Sequence, residues 1–239
     1  MKGYLTEIET MGLVDGPGMR LVLFLSGCPY RCLYCHNPET WIKNNYTQTT
    51  TPKEVLKLYN KFKNYYDPSG GVTFSGGEPL VQSAFVLQTA KLLKKHNVHT
   101  ALDTAGGVVG DFSKLLKYID LVILDIKATT EKEHKAICGH DMQNFNNFLA
   151  LCEKLDKKLW LRHVIVPNIN DDEKHIEKLA KYIKNIKNVE KIELLPYHSM
   201  AKSKYEKFKI KYPLDGYLDM DKKKCAELES KLLKLLHKS

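Results

Sequence analysis

Leu21-Val22-Leu23-Phe24-Leu25-Ser26-Gly27-Cys28 and Gly71-Val72-Thr73-Phe74-Ser75-Gly76-Gly77-Glu78-Pro79 decide the fold, because each is a short apolar run that stops at glycine. Neither run alternates apolar with polar residues, the pattern of a strand buried on both faces. Four further segments read the same way: His99–Asp103, Leu121–Ile126, Leu159–Val166 and Lys191–Leu195. Amphipathic patterns lie between them. Thr51 caps one, with Pro52 at its first position and Val55, Leu56 and Tyr59 further on. The others are Ser83–His96, Asp111–Tyr118, Asn144–Leu155, Asp171–Ile186 and Asp221–Leu236. Six strands separated by helices predict βαβ crossovers and a parallel sheet, an α/β fold. No composition break divides positions 1–239, so a single domain is expected, with a core over about 15–217 and a C-terminal helix at 221–236. The pattern leaves an open doubly wound sheet and a curled partial barrel equally possible.

Composition narrows the function classes. A chain of 239 residues, 43% apolar and 27% charged, has the balance of an ordinary water-soluble protein. No apolar run nears the ~18 residues that cross a bilayer, and Met1–Thr10 has no signal-peptide centre, so a cytoplasmic protein without membrane attachment is expected. The net charge of +9 comes from lysines spread along the chain, without a dense block or aromatic interleaving. That describes a lysine-rich surface, not a nucleic-acid interface. Of 37 basic residues only Arg20, Arg31 and Arg162 are arginine. A planar, permanently charged fork is chosen over lysine where bidentate or stacking contact is needed, so all three are candidates for site or scaffold roles.

Three of the six cysteines cluster in Gly27-Cys28-Pro29-Tyr30-Arg31-Cys32-Leu33-Tyr34-Cys35-His36-Asn37. The other three, Cys138, Cys152 and Cys225, stand alone in helical patterns and read as small buried apolar residues. A Cys-x3-Cys-x2-Cys loop can wrap three thiolates around one metal centre. Structural zinc needs a fourth ligand, and His36, adjacent to Cys35, is poorly placed to supply it. A ferredoxin cubane takes four cysteines. Three leave one iron open for chemistry.

The other polar groups fall at strand ends. Ser75-Gly76-Gly77-Glu78-Pro79 follows the second strand, Asp103-Thr104 ends the third, Asp125-Ile126-Lys127 ends the fourth, and Tyr197-His198 follows the last. In a parallel sheet these share the rim where α/β ligand sites sit. The paired glycines suit a turn, or close approach of a ligand whose ammonium meets carbonyls and the Glu78 carboxylate. Lys127 is placed to meet a ligand carboxylate. Asp103, Thr104 and Asp125 offer hard oxygens that need a cation or proton between them.

The cysteine spacing after a first strand, with Gly-Gly-Glu-Pro after the second, resembles the radical S-adenosylmethionine superfamily. Asp15-Gly16-Pro17-Gly18-Met19-Arg20, Tyr34-Cys35-His36-Asn37 and Ile192-Glu193-Leu194-Leu195-Pro196-Tyr197-His198 narrow the likeness to the pyruvate formate-lyase activating enzymes, from about Ile8 to Tyr217. The resemblance implies a single-domain partial (β/α)6 barrel and an oxidoreductase of anaerobic metabolism. It implies a [4Fe–4S] cluster on Cys28, Cys32 and Cys35, with S-adenosylmethionine on the open iron. Reductive cleavage to a 5′-deoxyadenosyl radical then removes an α-hydrogen from one glycine of pyruvate formate-lyase, leaving a glycyl radical. Tyr34, Cys35, His36, Gly76, Gly77, Glu78, Asp125, Ile126, Lys127, Arg162 and His198 are the implied cofactor contacts. Asp103, Thr104 and Asp125 are implied to hold a monovalent cation, and Asp15 to grip the substrate peptide. Flavodoxin or ferredoxin is the implied reductant, and a monomer the implied state. The segment between Asn37 and Gly70 contains no cysteine, which favours the compact single-cluster type over activases with an inserted ferredoxin-like segment. A radical enzyme acting on another glycyl-radical protein or a small molecule, and a non-catalytic metal-binding module, are the alternatives.

Overall fold

The computed structural model describes residues 1–237; the last two positions of the expected 1–239 unit lie outside the described residues. The first half runs β1 (Gly3–Gly12), β2 (Arg20–Leu25), β3 (Gln48–Thr50), α1 (Pro52–Phe62), β4 (Gly71–Gly76), α2 (Ser83–Lys95), β5 (His99–Thr104) and α3 (Ser113–Leu116). The second half runs β6 (Leu121–Asp125), α4 (Glu131–Cys138), α5 (Gln143–Lys154), β7 (Lys158–Ile165), α6 (Glu173–Ile183), β8 (Val189–Pro196), α7 (Lys202–Lys207) and α8 (Lys222–His237). All strands join one sheet in the order β3-β1-β2-β4-β5-β6-β7-β8. The run from β2 through β4 to β8 is parallel and comprises the six expected strands. Their ends fall within two residues of the sequence reading, because Leu21, Leu23, Val72, Phe74, Leu102, Val122, Leu124 and Leu161 are buried and leave little freedom of register.

Local chemistry starts the helices, including α4, which the sequence reading did not contain. Thr51 accepts from the Glu54 amide while Glu54 accepts from the Thr51 amide, a reciprocal cap in front of Pro52. Asp172 caps α6 in the same one-sided way that Thr130 caps α4, and Gly139 ends α4 at φ +81°. Helix α3 is only four residues long, shorter than the Asp111–Tyr118 pattern. Strands β1 and β3 extend the six-strand reading: β1 pairs antiparallel with β2 and with β3. Strand β1 is half exposed, with Glu7 and Glu9 facing out, so it lacks the continuous apolar signature of its neighbours. Among the described residues no helix is long and apolar enough to cross a membrane.

The sheet curls, and contacts across its open side show how far. The loop after β2 meets the segment after β8: the His36 and His198 rings stack at 4.0 Å, and Lys204 donates to Asn37 Oδ1 at 2.9 Å and Glu39 Oε1 at 2.6 Å. No strand pairing joins β8 to β3 among the described residues, so the structure is a partial barrel rather than a closed one.

Arg20 is the main scaffold arginine. It is fully buried and donates to Thr73 Oγ1 at 2.7 Å, Pro17 O at 2.7 Å, Ser69 O at 3.3 Å and Val72 O at 3.3 Å. Thr73 passes the contact on, donating to Asp15 O at 2.7 Å. Arg20 thus ties the loop between β1 and β2 to the floor of β4. Lysine cannot reproduce a fork bonded on several sides, so Arg20→Lys is expected to lower unfolding free energy by about 2–4 kcal/mol. Urea unfolding measures it, and a loss under about 0.5 kcal/mol contradicts the role.

Candidate functional site

The cysteine loop is held in shape by its neighbours. Gly27 N donates to Thr40 O at 2.6 Å and Cys28 N to Trp41 O at 3.2 Å. The last carbonyls of α4 receive the loop's far side, Arg31 N on Cys138 O at 3.0 Å and Leu33 N on Ile137 O at 2.9 Å. From α7, Tyr205 Oη donates to Cys35 O at 3.1 Å. Cys32 is buried, Cys28 and Cys35 are half-buried, and all three thiols are free. Burial pushes Cys28 up to about 12 and raises Cys32 and Cys35 too, so the thiols are protonated at neutral pH. Among the described residues no three Cys, His, Asp or Glu side chains gather tightly enough for a single metal ion.

The glycine turn after β4 braces this loop. Gly77 N donates to Leu25 O and Glu78 N to Gly27 O, each at 2.8 Å. Gly76 sits at φ +107°, and a Cβ there would lie 2.3 Å from Leu25 N; one on Gly77 would lie 2.5 Å from Gly27 O. Close approach to the end of β2 therefore requires both glycines. Glu78 is buried and faces β5 rather than the mouth of the barrel. It accepts from Thr104 Oγ1 at 2.6 Å, Ala105 N at 3.0 Å and Leu80 N at 3.1 Å. Burial raises its pKa, and these donors oppose the rise.

Charged groups line the inner face of the next strands. Lys127 Nζ meets Asp125 Oδ2 at 2.7 Å, with only 12% of the lysine side chain exposed, and lies 5.7 Å from the Tyr34 ring centre. Despite burial, Asp125 holds Lys127 protonated, well above the usual lysine range. Asp125, Arg162 and Glu193 are register partners across β6, β7 and β8. Arg162 Nε donates to Glu193 Oε2 at 3.0 Å, its Nη1 lies 3.8 Å from Asp103 Oδ2, and its Nη2 donates to Val14 O. Ser75 Oγ donates to Asp103 Oδ2 at 2.9 Å. Burial pushes Asp103 up to about 7; Arg162 opposes this, while Asp125 and Asp15 add to it. Asp15 is buried nearby, raised by burial against the pull of Arg162 and Arg20. One interior thus collects Asp15, Asp103, Asp125, Lys127 and Arg162. Glu193 and Ser75 carry no role in the sequence reading; the register match of Glu193 to Arg162 is the signal that identifies it.

Among the described residues four buried side-chain polar atoms lack a hydrogen bond, on Tyr30, Tyr34, Glu39 and His198, and two of these belong to residues of this site. Tyr34 Oη and His198 Nδ1 are buried without any hydrogen bond. An orphaned buried group costs about 1–3 kcal/mol, a cost that a polar ligand recovers. His36 stacks on His198, its Nε2 3.2 Å from His198 O, and burial holds it neutral with a pKa of about 4. Orphaned donors, a lysine–aspartate pair and an aromatic stack beside three thiols fit a zwitterionic ligand with an aromatic base next to a cluster.

His163 lies behind this face. Its Nδ1 donates to Ile126 O at 2.6 Å, so its neutral ring accepts at Nε2, which lies 2.8 Å from His175 Nε2. Burial and the neighbouring His175 lower His163 to about 4, and burial lowers His175 as well. In the unfolded chain both protonate near pH 6.5. Between about pH 6.5 and 4 the unfolded state therefore binds more protons, and stability falls as pH falls. The urea midpoint should drop from pH 7 to pH 5, and drop less in His163→Phe; parallel pH curves for the two proteins contradict this origin.

Comparison with known proteins agrees with this geometry. The radical SAM superfamily model matches residues 22–183, so the chain is a radical SAM protein, of the class that uses a [4Fe–4S] cluster and S-adenosylmethionine. It is 49% identical over 235 residues, 98% of each chain, to the pyruvate formate-lyase-activating enzyme of Clostridium pasteurianum. The Staphylococcus epidermidis protein of that name is 40% identical over 224 residues, 90% of this chain and 89% of its own. The chain belongs to the pyruvate formate-lyase-activating enzyme family. Among solved structures, a domain of the Bacteroides vulgatus pyruvate-formate lyase-activating enzyme superposes with a TM-score of 0.54 at 23% identity, covering 70% of this chain and 93% of that one, a likeness of fold.

Proposed function

We propose that this protein activates a pyruvate formate-lyase by creating a glycyl radical in it. The observation that carries the reading is the 49% identity over 98% of both chains to a relative of that name, since likeness of fold alone selects no partner. When bound, the reduced cluster supplies an electron that splits S-adenosylmethionine into methionine and a 5′-deoxyadenosyl radical, which takes the glycine α-hydrogen and leaves as 5′-deoxyadenosine. The chain's own residues bind, orient and shield. Cys28, Cys32 and Cys35 would hold the cluster. Lys127 and Arg162 offer cations to the methionine carboxylate, while Asp125 and the backbone at Gly76, Gly77 and Ile126 face its ammonium. Tyr34, His36 and His198 enclose the nucleoside, which provides partners for the orphaned atoms of Tyr34 and His198. Glu78, already bonded to Thr104 and Ala105, acts by fixing the strand end beside the ligand. Asp103, Thr104 and Asp125 hold a monovalent cation, whose charge offsets two close carboxylates. Asp15 grips the glycine-bearing peptide at the inner end of its loop.

The electron comes from flavodoxin or ferredoxin, acidic partners suited to a chain of net charge +9. The protein works as a cytoplasmic monomer, the whole chain forming one unit. The absence of cysteine between Asn37 and Gly70 favours this partner over the larger glycyl-radical enzymes. Isotope transfer tests the reading. Pyruvate formate-lyase carrying α-deuterated glycine should deliver deuterium into 5′-deoxyadenosine, and unlabelled product formed with that partner present rejects it.

A further inference from the structure

One side-chain hydrogen bond in the cysteine loop is aimed at sulfur, beside the backbone amides of Tyr30 and Asn37, which bond to the Cys28 and Cys35 sulfurs. Trp41 Nε1 donates to Cys35 Sγ at 3.2 Å. An indole N–H is a donor only, so the direction is fixed. The same residue receives Cys28 N on its carbonyl at 3.2 Å, so Trp41 touches two of the three clustered cysteines. Its ring is fastened on two sides. The Tyr205 ring meets it edge-on at 5.8 Å and 83°, with Tyr205 itself bonded to Cys35 O. The Arg31 guanidinium lies 4.9 Å from the indole centre. Arg31 is held there by its bonds to Cys28 O at 2.9 Å and Tyr30 O at 2.8 Å.

We propose that Trp41, with Arg31 stacked on it, sets the reduction potential of the cluster by donating a hydrogen bond to the Cys35 sulfur. The proposal rests on the reading of Cys35 as a cluster ligand. Adding an electron to a cluster raises the negative charge on its thiolate sulfurs. A donor at sulfur therefore stabilises the reduced state more than the oxidised state and moves the potential upward. The Arg31 cation over the ring face draws electron density from the indole, which strengthens the N–H as a donor and adds its own field. Arg31 is exposed, so its direct contribution is screened by salt; the Trp41 bond, inside the loop, is not. The pair brings the cluster within reach of a weaker one-electron donor than it would otherwise need. Trp41 is a positioning residue in this scheme, touching a ligand and not the substrate.

The test is a redox titration of the reconstituted holoprotein, without S-adenosylmethionine, followed by the paramagnetic resonance signal of the reduced cluster. Trp41→Phe keeps a ring for Arg31 and Tyr205 but removes the N–H. Its midpoint should move negative, so that at a fixed potential the ratio of reduced to oxidised cluster falls about tenfold, equivalent to about 59 mV for one electron. Arg31→Gln should move it the same way by less, and the difference from the native protein should shrink as salt rises. A full cluster in Trp41→Phe with an unshifted midpoint overturns the proposal. If that variant takes up no cluster, resonance Raman of the native protein decides. Exchange into deuterated water should shift an iron–sulfur stretching band, and bands that ignore exchange overturn the proposal. Failure of the underlying reading looks different: no S-adenosylmethionine-dependent change in the cluster signal of the native protein.

Discussion

Cys32→Ala is expected to fold with nearly native stability and to form no 5′-deoxyadenosine at all. Cys32 is the most enclosed of the three clustered thiols, with 8% of its surface exposed, and no hydrogen bond depends on its sulfur among the contacts that hold the loop. Removing one sulfur from a packed site costs about 1 kcal/mol, well within what a chain of this size tolerates. The chemical loss is expected to be total, because only two of the three thiols that would hold the cluster remain. Iron analysis, visible absorption and product chromatography measure the loss, and circular dichroism checks the fold. A variant that keeps its iron and makes product removes Cys32 from the ligand set.

Lys127→Met should weaken S-adenosylmethionine binding to the cluster-loaded protein by roughly thirty- to a thousandfold, or about 2–4 kcal/mol. The size of the effect follows from burial. Lys127 and Asp125 neutralise one another at 2.7 Å in the same interior that holds Asp103 and Asp15. Deleting the cation leaves Asp125 without its ammonium partner in that interior and removes the lysine proposed to meet the methionine carboxylate. Lys127→Arg should not restore affinity, since the bulkier fork does not fit a space shaped to a single ammonium. Equilibrium dialysis against labelled cofactor gives the number, and binding within threefold of native contradicts the assignment.

Much of this was legible before the structure, for physical reasons. Strands β2 and β4 to β6 are covered on both faces, so burial writes itself into the sequence as near-continuous apolar runs, whereas the edge strand β8 exposes Glu190 and Lys191. The rim motifs follow because in a parallel sheet every strand end lies on one side. Strand β1 was harder to read because its outer face carries Glu7 and Glu9 and its partners run antiparallel, outside the βαβ pattern. The strand pattern alone did not reveal the curling, which only the family resemblance implied, since it depends on contacts such as His36 on His198 that are far apart in sequence. The same limit explains the site. Cysteine spacing announces itself locally, whereas the orientation of Glu78 toward Thr104, the pairing of Arg162 with Glu193 and the Trp41 bond to Cys35 arise only when separate segments meet.

Six parallel strands bring their ends to a common rim, glycines let the second turn press against the cysteine loop, and α4 and α7 hold that loop from outside. The interior beside it pairs its charges internally and leaves polar atoms of Tyr34 and His198 awaiting a ligand. The most direct test is an anaerobic electron paramagnetic resonance measurement on reconstituted protein with S-adenosylmethionine, dithionite and pyruvate formate-lyase. The account predicts a glycyl-radical doublet on the partner, with 5′-deoxyadenosine formed alongside it and both absent in Cys32→Ala. A fully reduced, cluster-loaded protein that yields neither doublet nor 5′-deoxyadenosine would contradict it.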